Sequence, residues 1–391
     1  MNWLALDISG KVDNYDHALY ESIANDLSSC DKFVFACPYF SINKQTPSLR
    51  LLSFIPTKYK QSSNILKRIY KALEGIVNYL ITIRYIKKNP IDVIHLQWLP
   101  FLEVCGWERY WLKSVLKIRP NCKIILTAHN IYPHNSSNRQ KELYKKRMQK
   151  IDLYIDAYIV HNNASKDSLA KEFCIALEKV NIVHHGIFIP TSRPKEQLHP
   201  SSKVRFLLFG SQSAYKGTDI LINAIGMLPQ EQRKNIEVHI VGHTDKEFYN
   251  KYSTLANELH INWLNQYVED ISLYQEIQSA HVLIYPYRAI AQSGALLLGI
   301  YFRKTIILSD LPSFKETMGT NYPPSLFFST GNAKELMLTI QEYLTNTSKY
   351  SQTIIPILEN IIKDNDWESA AKKTIELYQK INTGSGRKQI V

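Results

Sequence analysis

The stretch FLLFGSQSAYKG, Phe206 to Gly217, runs four apolar residues into a glycine, continues with small and polar residues, and closes on Lys216 and Gly217 before a helical pattern from Thr218. A strand-to-helix junction of this kind can aim backbone N–H groups and one cation at an anion, because a helix N-terminus carries partial positive charge. The G-x-x-x-x-G-K-[ST] order of a P-loop is not there, so the stretch reads as an anion site of another design or as a plain turn. A second stretch, IYPYRAIAQSGALLLG from Ile284 to Gly299, repeats the layout: an apolar run, Pro286-Tyr287-Arg288, then Gln292-Ser293-Gly294 opening an apolar helix. Ser293 suits the N-cap of that helix and Gly294 lets a phosphate come close to its exposed N–H groups; taken singly it also suits a Ser-capped core helix. Two such helix starts in one half of the chain point to a diphosphate ligand.

Histidines gather in the other half. Ser9-Gly10-Lys11 follow the first apolar run, Asp16-His17 open a helix, His95 sits in DVIHLQW, and LTAHNIYPH carries His129, Asn130 and His134. At the carboxyl end of a parallel strand a histidine faces the ligand crevice, where it can bond a sugar hydroxyl or accept a proton; each also suits a structural role. The spacings match neither H-E-x-x-H nor a Cys/His zinc pattern, and no metal is expected. His184-His185-Gly186 reads as strand structure where the two halves join.

Parallel strands must hold these residues in place. NWLALDI, KFVFACPYF, DVIHLQWL, KIILTAHNI, AYIVHN and VNIVHHGI read as strands, with helical stretches such as 16–28 and 164–177 between them. The loop IFIPTSRPKEQLHPSSK, dense in Pro, Ser and charge, marks a boundary. The pattern then restarts with VRFLLFG, IEVHIVG, INWLN, HVLIYPY, KTIILSD and LFFS between helices. The expected class is α/β: two doubly wound, Rossmann-like parallel sheets at 1–190 and 203–365, a last helix at 366–383 packing back on the first, and a flexible tail at 384–391. Two such domains are expected to face a central cleft at the carboxyl ends of their strands.

A chain of 391 residues suits two cores, and 45% hydrophobic with 21% charged residues excludes a disordered protein. Cys30, Cys37, Cys105, Cys122 and Cys174 are scattered without a C-x-x-C pair and read as reduced, cytosolic residues. MNWLALDISG opens directly on a strand with no signal-peptide layout. The apolar stretch 72–86 is broken by Glu74, Asn78 and Arg84, short of a membrane span. A net charge of +12 calls for a polyanionic partner, and the basic residues cluster at 58–88 and 139–150. The first cluster interleaves Lys and Arg with Ile65, Leu66, Ile69, Tyr70, Leu73, Ile76, Val77 and Leu80 at helical spacing, as in a docked helix with a basic outer face or one lying on an anionic membrane surface. No nucleic-acid motif accompanies the charge, and neither sheet begins with the G-x-G-x-x-G of an NAD-linked oxidoreductase.

Taken together, the glycine loop after the first strand, D-V-I-H-L-Q-W at 92–98, T-A-H-N-x-x-P-H at 127–134, Y-K-G at 215–217, V-G at 241–242, P-Y-R-x-x-x-Q-S-G at 286–294 and Glu316 resemble the GT-B glycosyltransferases over nearly the whole chain. The likeness is greatest to the retaining, family 4-like nucleotide-sugar enzymes of capsule and exopolysaccharide synthesis. It implies that Lys216 contacts the donor diphosphate, that Ser293, Gly294 and Ala295 bind phosphate or ribose, and that Gln266, Tyr267 and Val268 hold the base. It implies that His129 faces the transferred sugar, that His129 and Lys216 are catalytic, and that Gly10 lets its loop approach the diphosphate. Ser213, Gly217, Gly242, Tyr287, Arg288, Gln292 and Glu316 complete the implied donor set; His17, His95, Asn130 and His134 form the implied acceptor set. The donor is UDP- or GDP-linked, and no metal or other cofactor is implied, since cations and helix N-termini neutralise the leaving diphosphate.

The chain also departs from the pattern. Relatives usually carry an arginine where Ser213 stands and two glutamates where Ala291 and Gly299 stand. Arg288 is the expected replacement cation, and Gln292 the expected sugar contact. The expected function is transfer of a sugar to a lipid-linked glycan of a surface polysaccharide, with retention, by a cytoplasmic protein peripheral on the inner membrane face. The alternative is a GT-B module that binds nucleotide or glycan as a partner subunit without turnover.

Overall fold

The computed structural model describes residues 1–10, 12–28, 30–38, 48–51, 65–133, 136–190 and 203–383. They form two compact units, Met1–Gly186 with the chain from Asp366 onward, and Ile187–Asn365.

In chain order the first unit holds β1 (Asn2–Asp7), α1 (Asp13–Asn25), β2 (Lys32–Cys37), β3 (Ser48–Arg50), α2 (Ile65–Lys88), β4 (Val93–Trp98), α3 (Glu108–Ile118), β5 (Lys123–Thr127), α4 (Asn138–Asp152), β6 (Ala157–Val160), α5 (Asn163–Phe173) and β7 (Val180–Ile182). Leu4, Ala5 and Leu6 are all fully buried although they alternate between the faces of β1, and β5 is buried along its length. Such strands need cover on both faces, which crossover helices of a parallel sheet supply. The order among the described residues is β3-β2-β1-β4-β5-β6-β7, every pairing parallel. The order reverses at β1 and β4, where Ala5 lies opposite His95, so the loops leaving these two strands border a crevice at the carboxyl edge.

The second unit holds β8 (Val204–Phe209), α6 (Thr218–Met227), α7 (Gln230–Lys234), β9 (Ile236–Val241), α8 (Lys246–Glu258), β10 (Asn262–Leu264), α9 (Asp270–Ser279), β11 (Val282–Tyr285), α10 (Gly294–Tyr301), β12 (Thr305–Ser309), α11 (Pro312–Met318), β13 (Phe327–Phe328), α12 (Ala333–Thr345) and α13 (Thr347–Asp364). Its parallel sheet runs β10-β9-β8-β11-β12-β13, with the reversal between β8 and β11, the strands that carry the two candidate anion loops. The last helix, α14 (Trp367–Thr383), belongs to the first unit. Tyr378 packs edge-on against Trp3 with centroids 5.1 Å apart, and Trp367 lies 5.3 Å from the ring of Tyr15 on α1.

Two helices differ from the expected spans. α1 begins at Asp13, not Asp16, and α5 stops at Phe173 because Cys174 turns left-handed at φ +58°. The cap N–H of Cys174 then bonds Ala170 O, closing the helix end. α2 buries Asn78, Tyr79, Thr82 and Ile86 and leaves Ile69, Leu73, Ile76 and Leu80 exposed along one stripe. Among the described residues no helix is long and apolar enough to cross a membrane.

Under α2 lies a buried carboxyl, Glu108 at the start of α3. Its Oε1 accepts from the Phe101 N–H and, at 3.5 Å, from the Tyr79 hydroxyl. Burial pushes its pKa from 4.5 up to about 7. A carboxyl raised in the folded state favours folding fully below its unfolded pKa and loses that contribution as the pH rises through its folded pKa. Glu108→Gln keeps an oxygen for Phe101 N–H and no longer titrates. It is expected to match the native chain at pH 4 and to exceed it above pH 7 by on the order of 2 kcal/mol, as read from thermal unfolding across that range. Parallel stability profiles for the two proteins would show that Glu108 is not the buried acid described.

Candidate active site

In the second unit β8 ends at Phe209, and after Gly210 the chain folds back on itself before α6. Gln212 donates its N–H to His243 O at 2.7 Å and its Nε2 to Gly210 O at 2.6 Å, while the Thr218 hydroxyl donates to Gln212 Oε1 at 2.7 Å. A single 3-10 turn, Ala214–Lys216, then brings the lysine side chain inward. Lys216 is 7% exposed; its Nζ donates to Phe209 O at 3.3 Å and lies 5.2 Å from the centroid of the Tyr287 ring. Burial lowers its pKa from the usual lysine value. An ammonium in this position is poorly solvated and gains strongly from an anion.

Two glycines make the nesting possible. At Gly217, φ +70°, a Cβ would fall 1.9 Å from Pro286 O, and at Gly242, φ +137°, it would fall 2.2 Å from Gly210 O. The loop after β11 is pinned from below, since the Ser309 hydroxyl donates to Tyr287 O at 2.7 Å and the Ser313 hydroxyl to Ile290 O at 2.9 Å. Ser293 caps α10, its Oγ accepting the Leu296 N–H at 3.1 Å. The amides of Gly294 and Ala295, in the first turn, have no acceptor within the helix. Tyr287 stands next to both halves of this arrangement: Lys216 lies over its ring, and the Ser293 hydroxyl opposes the rise that burial imposes on its phenol. A buried cation and an open helix start side by side suit a diphosphate.

In the first unit Asp7, fully buried at the end of β1, gathers the following loop around its carboxylate. Oδ1 accepts from the N–H groups of Ser9 and Gly10 at 3.1 and 2.9 Å, and Oδ2 from Val12 at 3.2 Å. Beyond β4 and β5 is a cavity of about 420 Å³, counting the solvent space at its mouth, lined by Gln97, Trp98, His129, Asn130, Tyr132 and Tyr144 among others. Behind it runs a polar network. Gln97 Nε2 donates to the Tyr20 hydroxyl, Gln97 Oε1 faces His129 Nε2 at 2.9 Å, His129 Nδ1 faces His161 Nε2 at 3.3 Å, and His161 Nδ1 faces Val183 O at 3.0 Å. The Tyr15 ring packs against His129, His161 and His185 with centroids 4.8 to 5.3 Å away. Burial brings His95 and His185 down to about 3 and His161 to about 4, so all three rings are neutral near pH 7.

Residues 191–374 match the family model described as Glycosyl transferases group 1, and residues 62–189 match that of Glycosyltransferase Family 4. The chain carries the two domains of a GT-B glycosyltransferase. Its fold is that of sucrose-phosphate synthase from Thermosynechococcus elongatus, with TM-score 0.71 and 15% identity over 98% of this chain and 99% of that one. It is also that of Anabaena HepE solved with UDP and glucose, with TM-score 0.68 and 12% identity over 97% and 100%. A glycosyltransferase from Rickettsia africae gives TM-score 0.67 and 18% identity over 98% and 99%. No curated protein matches the chain in sequence.

Within this glycosyltransferase two expected contacts are corrected, those of His95 and Arg288. His95 is 1% exposed, its Nδ1 bonded to the Tyr378 hydroxyl at 2.6 Å and its Nε2 to the Thr127 hydroxyl at 2.7 Å; it is a core histidine and reaches no acceptor. Arg288 is not the spare cation expected in place of the arginine missing at Ser213. Its guanidinium forms a bidentate pair with Asp219 at 2.9 and 2.7 Å and donates to Ala214 O at 2.6 Å. The Gly10 N–H is committed to Asp7. His129 has both ring nitrogens engaged within its own unit.

A glutamate at Gly299 would collide with two side chains of this chain's own packing. A Cβ there would fall 2.6 Å from Leu283 Cδ1 and 2.7 Å from the Tyr285 hydroxyl, which donates to Ala295 O at 2.8 Å. Ser213 is half-buried and its carbonyl accepts the Lys216 N–H; Gln292 is half-buried in the loop before α10, and Glu316 is half-buried on α11. After β10 the Gln266 N–H bonds Leu264 O, Val268 is half-buried, and the Tyr267 ring stands 69% exposed. His17 is half-buried on α1, and Asn130 lines the cavity with His129. Lys11 and His134 lie outside the described residues. Reading the sequence passed over Asp7, Gln97, His161 and Asp219. Gln97 was open to detection, because period-two spacing puts it on the same face of β4 as His95.

The glycines give the sharpest test of the nested loops. Gly217→Ala is expected to cost more than about 2 kcal/mol, through both its positive φ and the clash with Pro286 O. Gly331→Ala, at φ +85° with nothing within 4 Å, serves as the control and should cost only about 1 kcal/mol. Denaturant unfolding compares them, and equal costs would contradict the close approach at Gly217.

Proposed function

We propose that the protein moves a sugar from a nucleoside-diphosphate donor to a glycan acceptor, with the diphosphate held against Lys216 and the first turn of α10. The observation that carries this reading is the buried Lys216 ammonium beside the Ser293-capped helix, in the domain that matches the group 1 transferases. UDP-sugars are the first donors to test, since HepE has been solved with UDP and glucose and with UDP-glucose, and GDP-sugars the second. In the proposed reaction the bond from the sugar anomeric carbon to the diphosphate oxygen breaks, and its charge is met by Lys216 and the amides of Gly294 and Ala295. The acceptor hydroxyl attacks on the same face, forms the new bond and gives its proton to the departing phosphate oxygen, so the anomeric configuration is retained. These steps use the chain's own cation and amides and no metal.

Trp98 and Tyr132, at the cavity of the first unit, offer aromatic surface for the acceptor sugars beside Asn130. The exposed stripe of α2, Ile69, Leu73, Ile76 and Leu80, continues into Arg84, Lys87 and Lys88, an arrangement suited to an anionic membrane surface. We infer a lipid-pyrophosphate-linked acceptor, a peripheral position on the cytoplasmic face of the membrane, and a role in capsule or exopolysaccharide synthesis.

Release of UDP or GDP from a donor panel, measured with and without acceptor glycan, tests the reaction. Lys216→Ala should lower turnover by about 10²-fold or more. Because the lysine is a buried cation, stability should stay within about 1 kcal/mol of the native chain. Turnover should survive EDTA. Nucleotide binding without release would instead favour a binding module without catalysis. In vesicle sedimentation, the double change Leu73→Glu and Leu80→Glu should reduce association with phosphatidylglycerol vesicles, and unchanged association would overturn the membrane assignment.

A further inference from the structure

Lys216 stands on a turn with little hold of its own. Ala214–Lys216 is a single 3-10 turn, a form with poorer hydrogen-bond geometry than the α-helix, and α6 behind it begins on Gly217, which has no side chain to cap it. Within the turn the Lys216 N–H bonds Ser213 O at 2.9 Å and the Gly217 N–H reaches Ala214 O at 3.4 Å. Burial of the ammonium works against this arrangement, since a lysine left to itself regains its solvation by swinging outward. The hold has to come from outside the turn.

The loop after β11 supplies it, chiefly through Arg288. The Arg288 backbone N–H donates to Tyr215 O at 2.7 Å, and its Nη1 donates to Ala214 O at 2.6 Å. Nη1 and Nη2 also meet the two carboxylate oxygens of Asp219, in the first turn of α6, at 2.9 and 2.7 Å. One residue thus grips the chain on both sides of Lys216. Pro286 O closes over Gly217, and the Tyr287 ring between them lies 5.2 Å from Lys216 Nζ. The same loop runs on to Ser293 and the open amides of α10, so whatever fixes it to the turn also fixes the spacing between cation and helix start. Exposed ion pairs as a rule add little to stability. This one is bidentate, its Asp219 side chain is 15% exposed, and its guanidinium also reaches a backbone carbonyl of the turn, so its effect falls on position.

We propose that Arg288, paired with Asp219, is a positioning residue that holds the Ala214–Lys216 turn and so keeps the Lys216 ammonium at a set distance from the first turn of α10. The proposal rests on the reading of that place as the diphosphate site. Arg288 then serves donor binding and turnover through Lys216, without itself touching the phosphates. Its planar fork matters as well as its charge. A lysine at the same position keeps the charge, but a single ammonium on a flexible stem does not reproduce two parallel bonds to Asp219 together with a third to Ala214 O.

Amide hydrogen exchange of the nucleotide-free full chain, read by mass spectrometry, tests the hold, and titration with UDP and GDP together with donor turnover tests its consequence. In Arg288→Lys the amides of Lys216 and Gly217 are expected to exchange about tenfold faster, while those of β8 and of the first unit keep native rates. Affinity for the nucleotide that the native chain binds should fall about tenfold, and kcat should fall with it. A role confined to stability would leave kcat unchanged at temperatures where the variant stays folded. Asp219→Asn keeps the size of the partner and removes its charge; it should speed the same two amides, and it carries the test if Arg288→Lys does not fold. Native exchange at Lys216 and Gly217 with weakened binding would make Arg288 a direct phosphate ligand. Faster exchange with native affinity and kcat would show that the position of the turn does not matter to the site, and either result overturns the proposal. If the native chain binds neither nucleotide, the diphosphate reading falls, and exchange alone decides whether Arg288 holds the turn.

Discussion

A lysine ammonium held at 7% exposure against a backbone carbonyl and a tyrosine ring is the interaction on which the second unit's arrangement turns. Removing a cation from water costs several kcal/mol unless other groups replace its solvation. Phe209 O, at the carboxyl end of β8, and the electron-rich face of Tyr287 do so in part, and an incoming anion would complete the set. For Lys216 to reach that position, Gly217 must take a left-handed turn beneath Pro286 O, Gly242 must pass close to Gly210 O, and the loop after β11 must stay fixed by Ser309 and Ser313. The parallel sheet supplies the rest, because it brings the ends of β8 and β11 together at the point where its strand order reverses.

In the first unit backbone amides play the part that the carbonyl and ring play around Lys216. Asp7 is the buried anion there, and its charge is met by the amides of the loop that it organises. Burial keeps His95, His161 and His185 uncharged, and the ring nitrogens of the network face one another, Gln97, Thr127 and Tyr378, and a backbone carbonyl. Buried polar networks of this kind fix a unique arrangement only when every member is satisfied.

Much of the fold was legible in the sequence because parallel strands buried on both faces leave continuous apolar runs such as VRFLLFG and KIILT, set off by polar turns and glycine. The three-residue β3 carries too short a pattern to be seen. The Lys216 and Ser293 loops were legible as strand-to-helix junctions, and their proximity follows from strand order. What the sequence hid are pairings between distant residues. Arg288 reads as an available cation until Asp219, 69 positions earlier, is found clasping it. His95 reads as a crevice histidine until Tyr378, 283 positions later, is found covering it. Gly299 reads as a lost glutamate, and in this chain the Tyr285 hydroxyl and Leu283 side chains fill the space one would take.

The central claim is that Lys216 and the start of α10 form a diphosphate site, and calorimetric titration of the full chain with UDP and GDP addresses it most directly. The account predicts one saturable site for at least one of the two nucleotides, lost in Lys216→Ala and kept in Gln97→Glu, which lies in the other unit. Equal affinity in the native chain and Lys216→Ala, or no binding of either nucleotide, would contradict it.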